Sequence, residues 1–373
     1  MLALQIAGVV LFAASTIYLL IALSQVARFR ERILAPQSTP AVTIMVPCHG
    51  LTPRLLECLR SICRQDYAGS LQVVFGLHEE DDEARPVIER LMAETPGLDA
   101  ALVIDPRRIG THPKNCNLAN MMPRVRHDII VLVDSDVMVD PHFLATLVAT
   151  LEQPGAGAAT CLYKALPEYG FSSRLGASYI NDWQIPSGLV DLAVHGLGTT
   201  YGAAIAVTRQ VLDKIGGFAG MASVVSSDYS LGEEVRRLGL AIRLAPMVVS
   251  TIVAEPSLDV LYRHEVRWMR AIRATRPLDH ALWICSSALV PLIALSLAWP
   301  SWVALGALGS HLILRLLIHW TLQRNLAHRA FEPQMIMLRE IANFVLWAGS
   351  FMGRRVHWGD QVIVTGGRNR RVE

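Results

Sequence analysis

Residues 129–139 read Ile-Ile-Val-Leu-Val-Asp-Ser-Asp-Val-Met-Val, an apolar run that ends in two carboxylates one residue apart. A short, unbroken run of β-branched and large apolar residues reads as a strand buried on both faces, the kind found in parallel sheets covered by helices. In an extended backbone alternate side chains share a side, so Asp134 and Asp136 project together where the strand ends. Two hard oxygen ligands at such an end suit Mg2+ or Mn2+ bridging a diphosphate. Their other use, capping the helical pattern at residues 141–150, is already served by Asp140 just ahead of Pro141.

Working back from this strand, residues 42–46, 71–77 and 101–104 repeat the buried pattern, with helical patterns at 53–64, 84–93 and 114–122 between them. The first helix has Thr52 as its cap and Pro53 at its first position. Such alternation gives a parallel sheet flanked by helices, a nucleotide-binding half whose ligand lies at the carboxyl ends of the strands. Those ends are Pro47, Cys48 and His49, the acidic run 79–82, Asp105, and Asp134 with Asp136. Four acidic residues in a row also make a solvated turn or a helix start. Their place after a buried strand favours one of them accepting hydrogen bonds from a uracil or ribose, and Asp81 and Asp82 are both candidates.

Further along, Gly110-Thr111-His112-Pro113-Lys114 opens a helix, where backbone amides and Lys114 can meet phosphate; an exposed loop lysine is the plainer reading. Asp228 opens the helical pattern at 229–238, either as an N-cap or as a general base for an acceptor hydroxyl. Arg263, Arg267 and Arg270 follow at helical spacing, a cationic ladder fit to hold a leaving diphosphate, with Trp268 beside it as an interfacial anchor.

Composition puts this domain at a membrane. The 373 residues are 52% hydrophobic and 18% charged, too apolar for an ordinary soluble protein and too charged for a bundle of spans alone. Residues 1–27 carry no charge and meet Arg28, Arg30 and Arg32, an anchor whose flanking charge lies on the opposite side from that of a cleaved signal peptide. Those arginines place the following domain in the cytoplasm, where the six cysteines stay reduced. A net charge of +2 argues against nucleic acid as partner. Residues 281–314 are again uncharged and divided at Pro300-Ser301, which reads as a membrane hairpin, whereas 341–353 is short for a span and reads as an interfacial helix before a basic tail. The expected organisation is therefore a transmembrane helix (1–27), a linker (28–41), the catalytic domain (42–254), an amphipathic segment (255–280), a hairpin (281–321), and an interfacial helix with a basic tail (322–373).

In order, the acidic pair after the second strand, Asp134-Ser135-Asp136, Asp228 and Arg263-x-x-Arg267-Trp268 resemble the D…D…D…(Q/R)xxRW pattern of family-2-type glycosyltransferases, most of all the ceramide glucosyltransferase family. The likeness runs over nearly the whole chain, through Gly110–Lys114, Gly216-Gly217-Phe218, Trp358-Gly359 and Gly366-Gly367. Segments 160–163, 173–177 and 254–258 look like the bacterial branch, which includes hopanoid-biosynthesis-associated glycosyltransferases. The resemblance implies a GT-A fold, an α/β Rossmann-like domain between an N-terminal anchor and a C-terminal membrane hairpin. It also implies a UDP-sugar donor, a lipid acceptor at the bacterial inner membrane, and a divalent ion on Asp134 and Asp136. Asp228 is then the base of an inverting transfer, Arg267 and Trp268 lie near the diphosphate and acceptor, and Asp82 with the turn at Pro47 and Cys48 holds the uridine. Relatives often carry Glu-Asp where this chain has Ser227-Asp228. Competing readings are a processive polysaccharide synthase, which usually has more spans, and a non-enzymatic nucleotide-sugar-binding membrane protein.

Overall fold

The described residues include ten strands: β1 (Val42–Pro47), β2 (Leu71–Leu77), β3 (Asp99–Ile104), β4 (Ile129–Val133), β5 (Val137–Met138), β6 (Ala156–Pro167), β7 (Ala204–Thr208), β8 (Ala241–Val253), β9 (Arg355–Trp358) and β10 (Gln361–Val364). The computed structural model of the chain describes residues 2–326, 332–353, 355–358 and 361–364. Arg354, Gly359, Gly366, Gly367, Arg368, Arg370 and Arg371 of the tail motifs lie outside them.

The first eight strands form one sheet in the order β3-β2-β1-β4-β7-β6-β8-β5. Its first half is parallel, as the alternating pattern requires. Its second half departs from the expected all-parallel sheet, because β7 runs antiparallel to both β4 and β6, and β5 antiparallel to β8. Alternation splits the strand side chains between two cores. Ile44, Val46, Val73, Phe75, Val131 and Val133 meet the helices Leu55–Cys63, Arg85–Glu94 and Phe143–Leu151 on one face. Met45, Val74, Ile130 and Leu132 meet the helix Pro113–Met121 on the other. Burial on both faces is why these strands are so apolar, and the buried polar residues Thr43 and Gln72 are bonded to each other at 2.8 Å.

The anchor helix Leu2–Arg28 and the helix Trp302–Asn325 are each long and apolar enough to cross a membrane. Between the eight-stranded sheet and the second of these, Pro277–Ser286 and Leu289–Ala298 form a pair bent by 62°, a broken span or a re-entrant loop rather than a straight limb of the hairpin. The short apolar run expected at 341–353 belongs to an 18-residue helix, Pro333–Ser350. The inner end of the anchor does not stop at the domain surface: Leu19, Ala22 and Val26 are buried in the second core. A 27-residue helix is about 40 Å long, so roughly 10 Å remains for docking beyond the ~30 Å hydrocarbon layer.

Buried charge ties the apolar helices to one another and to the sheet domain. His311, Arg315 and His319 recur every four residues on one face of Trp302–Asn325 and meet, respectively, Ser15 of the anchor (3.1 Å), Glu340 (2.9 Å) and Asp182 (2.7 Å). Beside Glu340, Arg339 is fully buried and grips Glu265 through both terminal nitrogens, at 2.8 and 2.9 Å, while its Nε donates to Asn343 at 2.7 Å. Removing one partner of such a pair strands the other charge, so Arg339→Ala is expected to destabilise the folded protein by about 3–5 kcal/mol. Arg339→Lys should recover part of that loss. Thermal unfolding in detergent checks both, and an unchanged midpoint in the alanine variant would show the pair to be idle.

Candidate functional site

Strand β4 delivers the acidic pair, but through a turn rather than an extended run: Val137 N donates to Asp134 O at 3.1 Å. The turn exists because β4 and β5 pair with different strands, β4 with β7 and β5 with β8. This places Asp136 against β8, where Thr251 Oγ1 donates to its Oδ2 at 3.2 Å. Burial, then repulsion from Asp134, pushes the Asp136 carboxyl up to about 6, against the pull of Lys114 and Thr251.

Lys114 stands in the first turn of Pro113–Met121, pairs with Asp134 and donates to Gly202 O at 3.3 Å. Burial works against its charge, yet Asp134, Asp228 and Asp136 together raise its pKa. His112 caps the same helix by accepting from Asn115 N, and burial lowers it to about 4, so it is neutral at physiological pH.

Asp228 lies in the first turn of Ser227–Arg237. Its Oδ1 accepts from Ser226 Oγ at 2.6 Å and from Tyr229 N at 3.0 Å, and its backbone carbonyl accepts from Thr200 Oγ1 at 2.8 Å. Oδ2 lies over Gly202, where a Cβ would stand only 3.3 Å away, so a side chain at position 202 would crowd it.

These groups line one cavity of about 410 Å³, together with Arg267 and Trp268 from the helix Leu258–Thr275. Burial lowers Arg267 to about 10, with Asp228 opposing, so it is cationic at neutral pH. The other arginines of the expected ladder turn elsewhere. Arg263 is 75% exposed and pairs with Asp259, while Arg270 and Arg273 donate to the carbonyls of Met352 and Gly353 at 2.9 and 2.5 Å. The cavity is lined by Leu261, His264, Glu265, Arg267, Trp268 and Ala271 of this helix, a face that includes Arg267 but neither Arg263 nor Arg270.

The expected nucleoside residues lie apart from that cavity. Asp82 binds the turn after β1, accepting from Gly50 N at 2.9 Å, from Ala84 N at 2.9 Å and from His49 Nδ1 at 3.2 Å, whereas Asp81 is exposed. Asp82 thereby shapes the backbone that follows Pro47 and Cys48. Cys48 is 3% exposed, and burial pushes its thiol up.

A second cavity of about 280 Å³ shares Tyr163, Ser226, Asp228, Trp268 and Ala271 with the first. Aromatic rings wall it: Tyr179 stands 5.7 Å from Trp268 and 5.9 Å from Trp283, the latter on the bent helix pair. Asp228 therefore lines both a polar, charged chamber and an aromatic one that reaches the bent helix pair.

The charges of the first cavity define what it can hold. Lys114 and Arg267 face Asp134, Asp136, Asp228 and Glu255, and the remaining acid, Glu265, is neutralised by Arg339; the balance is a formal charge of −2. A diphosphate entering alone would meet net repulsion. A divalent cation on Asp134 and Asp136 fits the donor set: two carboxylates, with the remaining positions left to phosphate and water, is how Mg2+ is commonly held at nucleotides. Among the described residues no three His, Cys, Asp or Glu side chains cluster to hold a metal by themselves.

Comparison with known proteins decides the family. The model of glycosyl transferase family 21 matches residues 7–368. The chain belongs to glycosyl transferase family 21. Among curated relatives of this family 21 member, a ceramide glucosyltransferase of Gibberella zeae is 28% identical over 151 residues, 36% of this chain and 29% of that one. Ceramide glucosyltransferase 1 of Caenorhabditis elegans is 19% identical over 251 residues, 67% of this chain and 53% of the relative. The matches thus span about half or less of these relatives' lengths. Among solved structures, a mannosyltransferase from Pyrobaculum calidifontis, in complex with GDP-Man and Mn2+, superposes with a TM-score of 0.62 at 19% identity, covering 96% of this chain and 99% of that one. This likeness shows the fold of the family 21 chain, a GT-A-like glycosyltransferase domain joined to apolar helices.

Proposed function

We propose that this family 21 protein transfers a hexose from a UDP-sugar to the hydroxyl of a membrane lipid, of ceramide or hopanoid type, with inversion at the anomeric carbon. The observation that carries the reading is the single cavity where Asp134, Asp136, Lys114, Arg267 and Asp228 meet, opening at Asp228 into the aromatic chamber beside the bent helix pair. Asp134 and Asp136 hold Mg2+ or Mn2+, which when bound neutralises the diphosphate and eases its departure. Lys114 and Arg267 bind phosphate oxygens, and arginine's planar fork fixes their orientation. The turn at Pro47 and Cys48, shaped by Asp82, borders the nucleoside.

Asp228 is the base. Ser226 and Tyr229 fix one carboxylate oxygen, so Oδ2 is left to take the acceptor's proton as its oxygen attacks. A base on the acceptor side and cationic groups on the leaving-group side suit one in-line displacement, the basis for inversion. The lipid approaches through the aromatic chamber with its apolar part against Trp268, Tyr179 and Trp283, and the anchor's Arg28, Arg30 and Arg32 favour a cell-membrane protein with its catalytic domain in the cytoplasm.

The test incubates membranes containing the protein with labelled UDP-hexoses and either ceramide or a hopanoid polyol, identifies the product by mass and assigns its anomeric configuration by NMR. A lipid hexoside of configuration opposite to the donor is expected. Release of free hexose with no lipid product, or chain polymerisation, would refute the reading.

A further inference from the structure

Glu255 sits in the wall of the proposed catalytic cavity, 8% exposed, in the segment that leaves β8 for the helix Leu258–Thr275. Three contacts fix it. Its backbone carbonyl accepts from both Ser172 Oγ at 2.6 Å and Ser173 Oγ at 3.1 Å, and its Oε1 accepts from His264 Nδ1 at 2.9 Å. His264 in turn packs on Trp268, with ring centroids 4.4 Å apart. The other carboxylate oxygen, Oε2, is buried with no hydrogen-bond partner.

A buried carboxylate oxygen without a donor costs free energy that the fold would avoid by placing an apolar side chain there. The three contacts already hold the backbone and Oε1, so the bare oxygen adds nothing to them. Gly176, also in the cavity wall, lies beside it: a Cβ there would stand 2.9 Å from Leu261 Cδ1, 3.3 Å from Val253 Cγ1 and 3.5 Å from Oε2, so glycine keeps a side chain from crowding this part of the wall. An anionic phosphate oxygen would be repelled there. A neutral hydroxyl suits it, since an ionised carboxylate accepts but does not donate and a charge-assisted O–H···O bond is strong.

We propose that Glu255 Oε2 accepts a hydrogen bond from a hydroxyl that does not react, carried by the transferred sugar or by the lipid acceptor, which makes Glu255 a specificity residue of this site. The inference rests on the sugar-transfer reading above. Its chemical content is recognition of a polyol, with the carboxylate as acceptor, His264 as orienter and the face of Trp268 alongside.

The test is a coupling cycle. Wild type, Glu255→Gln and Glu255→Ala are compared with whichever of UDP-glucose, UDP-galactose or UDP-N-acetylglucosamine the wild type uses, with that donor's single deoxy analogues, and with acceptors lacking one non-reacting hydroxyl. UDP affinity of each variant checks that the site is intact. Glu255→Ala is expected to lose on the order of 30-fold in kcat/KM with no loss of UDP affinity, and Glu255→Gln less. Wild type should suffer a similar loss on one deoxy substrate, and Glu255→Ala should suffer no further loss on that same substrate. Coupling to a deoxy donor assigns the sugar, and coupling to a deoxy acceptor assigns the lipid. Equal losses on every substrate, or no loss at all, would overturn the role of Glu255 while leaving sugar transfer standing. A wild type that makes no glycolipid would instead overturn the transfer reading itself.

Discussion

Asp228→Asn is expected to lower kcat by about 10³-fold while UDP affinity stays within about twofold. The amide is nearly isosteric, and its oxygen can still accept from Ser226 Oγ and Tyr229 N, so the start of the helix Ser227–Arg237 should keep its geometry. What changes is Oδ2, the atom over Gly202 at the junction of the two chambers, which becomes an NH2 group unable to take a proton. The loss should fall on kcat rather than on donor binding, because the proposed phosphate contacts are those of Lys114 and Arg267. Single-turnover assays with calorimetric titration of UDP separate the two quantities. Near-normal turnover in the variant would remove Asp228 from the mechanism, and a parallel loss of UDP affinity would recast it as a binding residue.

The sequence made the parallel half of the sheet legible and left the other half hidden, for a physical reason. Strands buried on both faces are mostly apolar, so β1, β2 and β4 announce themselves in short windows of sequence. Strands β6 and β8 are long and carry Lys164 and Arg243 amid smaller residues. Their pairing, with register shifts between Ala156 and Ala158 and between Cys161 and Leu162, depends on residues about 85 positions apart that no local pattern encodes. Helix ends were similarly blurred. Arg54 adopts φ 57°, a left-handed turn, so the helix expected from Pro53 begins at Leu55.

The candidate site divides along the same line. Asp134, Asp136 and Lys114 were readable because a strand end and a helix start each offer a fixed place for a charged group. The different surroundings of Asp81 and Asp82 were not, since they turn on which carboxylate meets Gly50 N, a contact 32 residues away. The arginine helix shows the limit of spacing as a guide: Arg263, Arg267 and Arg270 share a face in sequence, and only Arg267 meets the cavity. The buried ion pairs did leave a trace, the four-residue spacing of His311, Arg315 and His319 within an apolar helix. Polar residues so placed in a candidate span call for partners, and Asp182 and Glu340 supply them.

Chelation by EDTA is expected to abolish transfer, with a loss on the order of 10³-fold or more, and Mn2+ or Mg2+ should restore it. The argument is electrostatic. With Glu265 neutralised by Arg339, the cavity's four remaining carboxylates outnumber its two cations, so a leaving diphosphate gains no net positive field from the protein alone. Lys114 is partly spent on Asp134, its ion-pair partner, and Arg267 faces Asp228 as well as the phosphate region. A divalent cation between Asp134 and Asp136 cancels the excess. UDP affinity should therefore depend on metal, and metal affinity on UDP, by the same factor. Asp136→Asn, which removes a ligand, should raise the metal concentration needed for half-maximal rate by more than Asp228→Asn, which removes only a nearby charge. Titrating UDP with and without Mn2+ by calorimetry reads that coupling independently of turnover. Full activity in metal-free buffer, with UDP binding indifferent to Mn2+, would mean that Lys114 and Arg267 stabilise the leaving group unaided and that the acidic pair serves another purpose.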